Sequence, residues 1–277
     1  DMAAAVAQEK GLPSPVAQGT VNEEALGIAR ALLKGERKAV LLGNAAAHHM
    51  QASSLLALAQ WIAQQTGASC GYLTEAANTV GAQFVGAQPQ GKGLNAGRML
   101  AGGLKAVLLL NTEPEFDSAA GAQAAAGLDM LDMVVTLSPF KTNLEFSDVL
   151  LPIAPFTETS GSFANAEGRV QSFHAVVKPL GDARPAWKVL RVLGNLLGVQ
   201  GMDYDTSQDV LAKAVGNVSQ LPAERLSNTT QVALSVFQGP SVPPVVASIY
   251  QLDSLVRRAP ALQHTADARV AREGAAA

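Results

Sequence analysis

Short apolar runs recur along the first half of the chain, and segments of helical period separate them. The helical period is clear in Val21–Leu33 and Met50–Gln65, where apolar residues return every three to four positions. Strands that alternate with helices in this way are typical of a parallel, doubly wound sheet. The sequence therefore predicts an α/β domain with a mainly parallel sheet, whose strands are Lys38–Leu42, Cys70–Leu73, Lys105–Leu110, Met133–Leu137 and Val149–Leu151.

Small and polar residues follow three of these predicted strands directly. In open parallel sheets, ligands bind beyond the carboxyl ends of the strands, so these positions could line a crevice for a nucleotide-like cofactor. The same residue types also cap helices, and any turn from a strand to a helix uses them. Both interpretations remain open for the candidate residues Gly43, Asn44, Asn111, Thr112, Glu113 and Ser138.

The stretch Ser147–Phe173, SDVLLPIAPFTETSGSFANAEGRVQSF, combines a strand with a hairpin. Pro152 stops the strand because proline has no N–H to donate to a neighbour. Two short extended pieces then flank Ala166-Glu167-Gly168, and Gly168 can adopt the positive φ that a tight hairpin requires.

As a string, DVLLP followed by ETSGSFANAEGRVQ resembles the molybdopterin oxidoreductase superfamily. Within that superfamily, the chain looks like the C-terminal part of the large iron–sulfur subunit of bacterial NADH:quinone oxidoreductase, the respiratory complex I. The resemblance extends upstream through EAANTVGAQ and downstream through IYQLDSLVRRAPALQ. It implies a molybdopterin-oxidoreductase-like α/β fold with a hairpin insertion and a less regular C-terminal extension.

The resemblance also implies a function without catalytic residues in this chain. The chain would be a scaffold and docking portion of the large iron–sulfur subunit, with no cofactor of its own. It would support electron transfer from NADH to quinone through iron–sulfur clusters that lie outside it. Its partners would be the other subunits of the peripheral arm, on the cytoplasmic side of the inner membrane.

The alternative is an enzyme. The chain would then be the cofactor-binding domain of an active molybdopterin oxidoreductase of the formate dehydrogenase type. Under this alternative, a molybdopterin dinucleotide would lie across the strand ends at Asn111–Pro114 and Ser138.

Composition excludes several other classes of function. The net charge is −3 and only 16% of the residues are charged, which argues against a nucleic-acid surface. No run approaches 18 apolar residues, so we expect no direct membrane insertion. Cys70 is the only cysteine, so the chain cannot hold a cysteine-ligated cluster or a disulfide of its own. We therefore expect a C-terminal fragment, with the iron–sulfur clusters in an N-terminal part that precedes it.

The predicted domain organisation has three parts. Residues 1–20 are expected to be a linker, residues 21–200 the α/β domain, and residues 201–277 a C-terminal extension that frays over Asp267–Ala277. Within the domain, we expect an irregular loop at Thr74–Leu94 and a short helix at Thr142–Phe146. Further helices are expected at Asp117–Leu128 and Arg184–Leu197, the latter with Leu197 facing the core.

Three further groups of residues could form metal, phosphate or catalytic sites, and we favour a structural role for each. His48-His49 lack additional metal ligands nearby and are best interpreted as the start of a helix. Gly91–Gly97 departs from the spacing of a phosphate loop. Glu158, Glu167 and Arg169 could act in acid–base chemistry, but side chains on a hairpin that pair with their neighbours account for them more simply.

Overall fold

A computed structural model describes residues 1–17, 19–221, 223–234 and 247–275. The chain divides into two compact units. The first unit comprises Asp1–Val80, Asn165–Gly168 and Pro222–Val246, and the second comprises Gly81–Ala164, Arg169–Leu221 and Ala247–Ala277. Within the predicted C-terminal extension, Gly239-Pro240 and Pro243-Pro244 indicate irregular chain, and these residues lie outside the described ranges.

The strands and helices are numbered in chain order. The strands are β1 (Ala39–Leu42), β2 (Ser69–Tyr72), β3 (Ala106–Leu110), β4 (Met133–Ser138), β5 (Val149–Pro152), β6 (Gly161–Ala164) and β7 (Val170–Phe173). The helices are α1 (Met2–Lys10), α2 (Glu23–Lys34), α3 (Asn44–Ala47), α4 (Ala52–Thr66), α5 (Thr79–Phe84), α6 (Ala96–Leu100), α7 (Pro114–Asp117), α8 (Ala122–Asp129), α9 (Ala186–Leu196), α10 (Ser207–Val215), α11 (Ile249–Leu252), α12 (Ser254–Arg257), α13 (Pro260–Gln263) and α14 (Ala266–Ala275).

In the first unit, β1 and β2 pair in parallel, in register from Ala39 opposite Ser69 to Leu42 opposite Tyr72. Helix α4 makes the crossover that a parallel pair requires. Helix α2 begins where the side chain of Asn22 accepts a 2.8 Å hydrogen bond from the Ala25 N–H, which satisfies one of the free N–H groups of the first turn. The core of this unit packs small and branched side chains from α1, α2 and α4: Ala3, Ala5, Val6, Ala25, Leu26, Ala29 and Ile62.

In the second unit, β3, β4 and β5 form a parallel sheet in that order. Its core packs Leu109 of β3 and Val134 of β4 against Leu128 of α8. The carboxyl ends of these strands lie at one edge of the sheet, where β3 leads into Asn111–Glu113 and β4 ends at Ser138.

The predicted hairpin is present. Strands β6 and β7 pair antiparallel, from Gly161 opposite Phe173 to Ala164 opposite Val170. Gly168 has a φ of 84°, and its N–H donates a 2.9 Å hydrogen bond to the carbonyl of Asn165. The rings of Phe163 and Phe173 meet edge to face at 5.2 Å between centroids, an arrangement that favours this register.

These elements confirm the predicted fold class, a mixed α/β fold with mainly parallel, open sheets. Each of the five predicted parallel strands is present to within two residues at either end. The predicted domain boundaries at residues 20 and 200 stay predictions. No helix within the described ranges has both the length and the apolar character needed to cross a membrane.

Several local predictions are wrong, each for a physical reason. Residues 2–10 form helix α1 where we expected a linker. The helix is stabilised because buried Ala3–Ala7 pack on neighbouring helices, and it was missed because an alanine-rich segment shows little hydrophobic period. The expected loop Thr74–Leu94 contains α5, and residues 267–275 of the segment expected to fray lie in α14.

Two further helix predictions fail near the edge of the second sheet. Residues 142–146 form a turn and not a helix, because Asn143 adopts the left-handed conformation with φ 57°. The helix expected over Asp117–Leu128 is divided into α7 and α8, with Gly121 at φ 54° between them. Leu197, expected in the core, is 72% exposed because α9 ends at Leu196.

Candidate functional site

The chain turns sharply at the carboxyl end of β3. Asn111 has a positive φ of 49°, which asparagine tolerates better than most residues, and its N–H still donates to the carbonyl of Leu137 at 2.8 Å. Thr112 and Glu113 follow, and α7 begins at Pro114, where a proline costs little because the first-turn N–H has no partner in the helix. This local geometry places Glu113 at the end of the strand.

Glu113 is the centre of an ion-pair cluster. Its side chain is only 5% exposed, and its two oxygens accept from the two terminal nitrogens of Arg258 at 2.7 Å and 2.9 Å. This is the bidentate geometry in which a guanidinium binds a carboxylate most strongly. Arg257 Nη2 lies 3.1 Å from Glu113 Oε1, a distance that makes an ion pair although no N–H points at the oxygen.

Arg257 joins Glu113 to a second carboxylate. Its Nη1 donates to Asp117 Oδ1 at 3.1 Å and also to the carbonyl of Gln251. Asp117 in turn accepts from the backbone N–H of Glu113 at 2.7 Å. We call Glu113, Asp117, Arg257 and Arg258 the strand-end cluster. It fixes α7 and α12 to the end of β3.

Two aromatic rings cover the guanidinium groups of this cluster. Arg257 lies 4.7 Å from the centroid of the Phe116 ring, and Arg258 lies 4.4 Å from that of Phe140. Stacking on these rings removes water from the guanidinium faces and adds a cation–π attraction. The cluster is therefore a structural device of paired and covered charges.

The electrostatic balance keeps Glu113 ionised. Burial alone raises the pKa of the Glu113 carboxyl, but the hydrogen bonds from Arg258 and the charge of Arg257 outweigh it, so the pKa lies below its ordinary value. The carboxylate is thus matched by two guanidiniums at neutral pH, and it is not available as a general acid.

The other predicted residues of this edge also make contacts within the chain. The side chain of Thr112 donates to Asp117 at 3.3 Å, and its carbonyl accepts from the Asn143 amide at 3.0 Å. Ser138 is buried, and its hydroxyl accepts from the Phe140 N–H at 3.1 Å. These contacts close the turns that follow β3 and β4.

A small cavity of about 200 Å³ lies beside the strand-end cluster. Its charged lining comprises the carboxylates Glu113, Glu115 and Glu145 and one cation, Lys141. Ligand sites for small molecules are usually larger, about 300–1,000 Å³. The surplus of carboxylates makes the cavity unfavourable for a phosphate.

Gly43 and Asn44 lie in the first unit, whereas the other four predicted residues lie in the second. Gly43 precedes the short helix α3, and Asn44 is its first residue. His48, at the end of α3, pairs with Glu75 at 2.8 Å, and His49 accepts from the Gln51 N–H at 3.0 Å. Within the described ranges, no group of three or more His, Cys, Asp or Glu side chains could hold a metal ion.

The remaining sequence candidates have structural contacts. Asn95, in the glycine-rich segment Gly91–Gly97, caps α6 by accepting from the Arg98 N–H at 2.9 Å. The Glu158 carboxylate accepts from the Leu180 N–H at 3.1 Å. Burial raises the pKa of the Cys70 thiol, so it is a poor nucleophile.

The sequence-based prediction missed the two arginines that complete the strand-end cluster. Both lie within the segment IYQLDSLVRRAPALQ, which carried part of the resemblance. Adjacent arginines beside an apolar helix are a detectable signal. However, Glu113, the carboxylate partner of Arg258, lies 145 residues earlier in the chain, and no local pattern indicates this pairing.

Comparison with known proteins matches the family described as molybdopterin oxidoreductase over residues 17–196, which is more than half of the chain. The chain belongs to the molybdopterin oxidoreductase family. Its sequence is 39% identical over 74 residues to "Putative formate dehydrogenase SAB2186c" of Staphylococcus aureus (strain bovine RF122 / ET3-1). It is 36% identical over 90 residues to "Probable oxidoreductase YjgC" of Bacillus subtilis (strain 168).

These alignments are short relative to both partners. They cover 26% and 32% of this chain, but only 8% and 9% of the two relatives. The family membership therefore stands on the match over residues 17–196.

Proposed function

We propose that the chain is a scaffold and docking portion of the large iron–sulfur subunit of an NADH:quinone oxidoreductase, without catalytic residues of its own. The family membership is consistent with this proposal, and the subunit assignment rests on the resemblance in Ser147–Phe173 and in IYQLDSLVRRAPALQ. Electron transfer from NADH to quinone would then use iron–sulfur clusters outside this chain. The partners would be other subunits of the peripheral arm.

The observation that carries the proposal is the strand-end cluster. In open α/β sheets a cofactor binds beyond the carboxyl ends of the strands, which is where Arg257 and Arg258 cover Glu113. The edge of the second sheet thus serves to attach the C-terminal segment. A docking domain needs such an attachment, and it needs no open crevice.

The paired charges at this edge argue against a molybdopterin dinucleotide. The pyrophosphate of such a cofactor needs cations or free backbone N–H groups. Both arginines are already paired with carboxylates, and the neighbouring cavity of about 200 Å³ carries Glu115 and Glu145 against the single Lys141. A negatively charged ligand would meet repulsion there.

A second candidate is the cofactor-binding part of an active molybdopterin oxidoreductase. This candidate is favoured by the names of the relatives, because one of them is described as a putative formate dehydrogenase. Under this alternative the pterin would occupy residues 111–114 and 138. It would have to displace the arginines from Glu113.

Metal and pterin analysis separates the two candidates. The purified 277-residue chain would be analysed by elemental mass spectrometry for molybdenum and tungsten, and by fluorescence of the oxidised pterin. We expect neither metal nor pterin above the background of a matched unrelated protein from the same host. Stoichiometric metal with pterin would overturn the scaffold proposal.

The subunit assignment needs a separate measurement in the assembled complex. In a host that carries the whole large subunit, an Arg257→Ala, Arg258→Ala variant is expected to lower the amount of intact complex on native gels and NADH:quinone activity in parallel. Activity per assembled complex should stay unchanged, because the altered residues are not catalytic. Loss of activity at full assembly would contradict a scaffold role.

A further inference from the structure

The second unit contains another cavity, of about 590 Å³, at some distance in sequence from the strand-end cluster. It is formed by the segment that precedes β6, the loop between β7 and α9, and the first residues of α9 and α10. We call it the α9–α10 cavity. Its volume is in the range of sites that bind ligands.

Hydrogen bonds hold the walls of this cavity in place. The hydroxyls of Ser160 and Ser207 lie 2.8 Å apart and connect the segment before β6 to α10. The loop after β7 is fixed by the Val176 N–H, which donates to the Thr157 carbonyl at 2.9 Å, and by the Leu180 N–H on Glu158. A ligand would therefore meet a formed site and lose little binding energy to ordering it.

Cations outnumber carboxylates in the cavity lining. The cations are Lys178, Arg184 and Lys188, and the carboxylates are Glu158 and Asp205. The Glu158 carboxylate accepts from the Leu180 N–H, and the Arg184 guanidinium donates to the carbonyls of Gly181 and Ala183. In the described part of the chain, neither Lys178 nor Lys188 has a carboxylate within ion-pair distance. The cavity is therefore complementary to a ligand that carries negative charge.

Apolar surface accompanies this charge. Val176 and Leu180, on the loop that bounds the cavity, are each 83% exposed. Trp187 lines the cavity, and its indole N–H is covered and lacks an acceptor within the described residues. Trp187 and Arg184 are of residue types that are enriched among the side chains carrying most of the binding energy in protein interfaces.

We propose that the α9–α10 cavity binds an extended segment of a partner protein that presents a carboxylate beside an apolar side chain. The carboxylate would approach Lys178 and Lys188, and the apolar side chain would cover Leu180. A small molecule fits less well, because Lys178, Arg184 and Lys188 are exposed and the cavity opens to solvent, whereas small-molecule sites bury most of their ligand. The idea that this partner belongs to a larger complex rests on the docking function proposed above. The charge and shape of the cavity do not depend on that proposal.

Fluorescence of Trp187 gives a direct assay. A Trp61→Phe background removes the only other tryptophan, which lies in the first unit. The probes are a blocked pentapeptide with one aspartate between two leucines, the same peptide with asparagine in place of the aspartate, and glutarate alone. The test variant is Lys178→Glu, and the matched control is Lys105→Glu, an exposed lysine of the same unit outside the cavity.

We expect the aspartate peptide to bind in the millimolar range or better, and about fivefold more tightly than the asparagine peptide. Lys178→Glu should weaken the aspartate peptide by about fivefold or more, and Lys105→Glu should leave its binding unchanged. Thermal unfolding that matches the parent would show that each variant is folded, and Lys178→Ala replaces the charge reversal if it is not.

Other outcomes overturn the proposal. Equal affinities for the two peptides would show that the carboxylate does not contribute to binding. No change in Trp187 fluorescence at several millimolar peptide would show that the cavity does not bind the peptide. Glutarate binding as tightly as the aspartate peptide would make the cavity a site for small anions. None of these results depends on molybdenum or pterin, so a failure here is distinct from a failure of the scaffold proposal.

Discussion

Removal of Arg258 tests whether the strand-end cluster stabilises the second unit. Arg258→Ala deletes both hydrogen bonds to Glu113, at 2.7 Å and 2.9 Å, and leaves this buried carboxylate with the ion pair to Arg257. Breaking a fully buried ion pair costs about 3–5 kcal/mol. Because the Arg258 side chain is 34% exposed, we expect a smaller loss in the free energy of unfolding, about 2–3 kcal/mol.

A double-mutant cycle isolates the pair from the other contacts of Arg258, such as its stacking on Phe140. The cycle comprises Glu113→Gln, Arg258→Ala and the double variant, each in the Trp61→Phe background, with urea unfolding followed through Trp187. We expect a coupling free energy of about 2 kcal/mol between Glu113 and Arg258. A matching cycle on Glu9 and Arg30, an exposed pair at 2.9 Å in the first unit, is followed through Trp61 in a Trp187→Phe background and should give a much smaller coupling.

The pH dependence gives a second test of the same interaction. The pKa of Glu113 is lowered in the folded chain, so its contribution to stability is complete above the pKa of the same carboxyl in the unfolded chain. That contribution is lost as the pH falls through the folded pKa. In Arg258→Ala the folded pKa rises and the acid loss becomes smaller. A coupling no larger than that of the exposed pair, with an unchanged acid profile, would refute the cluster as a stabilising element.

Three glycine substitutions, one of them a control, test other parts of the second unit and the hairpin. Gly127→Ala should lower the free energy of urea unfolding by about 1–3 kcal/mol, because the added Cβ would lie 2.5 Å from the Leu100 carbonyl oxygen. Gly97→Ala is the control: its Cβ meets only ordinary contacts, so the variant should be neutral or slightly stabilising. Equal effects of the two would contradict this packing. Gly168→Ala should cost about 1–2 kcal/mol because its φ is 84°, and hydrogen exchange of the β6 and β7 amides should rise with it; unchanged exchange would show that the turn does not require glycine.

The sequence predicted the parallel strands well because each is a short run of apolar residues between helical segments. Leu109 and Val134, for example, pack against Leu128 in the core as their apolar runs indicate. The hairpin was predictable because Gly168 is the residue that a positive φ favours. In both cases the local sequence pattern is sufficient to predict the structure that forms.

The remaining features depend on contacts that no local pattern records. Helix α1 is stabilised by packing of small side chains such as Ala5, which carry little periodic signal. The turn at Asn143 takes the place of a helix because its side-chain amide donates to Thr112, 31 residues earlier. Of the six candidate site residues, four lie at the edge of the second sheet and two lie in the first unit, and their role in binding a pterin stays a prediction.

The strand-end cluster bears on both proposed functions because it uses the groups that a cofactor would need. A ligand at the carboxyl end of β3 would have to separate Glu113 from Arg258 or find other donors, and separating this partly exposed pair costs about 2–3 kcal/mol before any contact to the ligand forms. The nearby carboxylates Glu115 and Glu145 would add repulsion to a phosphate. Attachment of the C-terminal segment requires no such displacement, because Arg257 and Arg258 already match the charge of Glu113 and Asp117. The same geometry that opposes a cofactor therefore favours a domain whose sheet edge is used for structure.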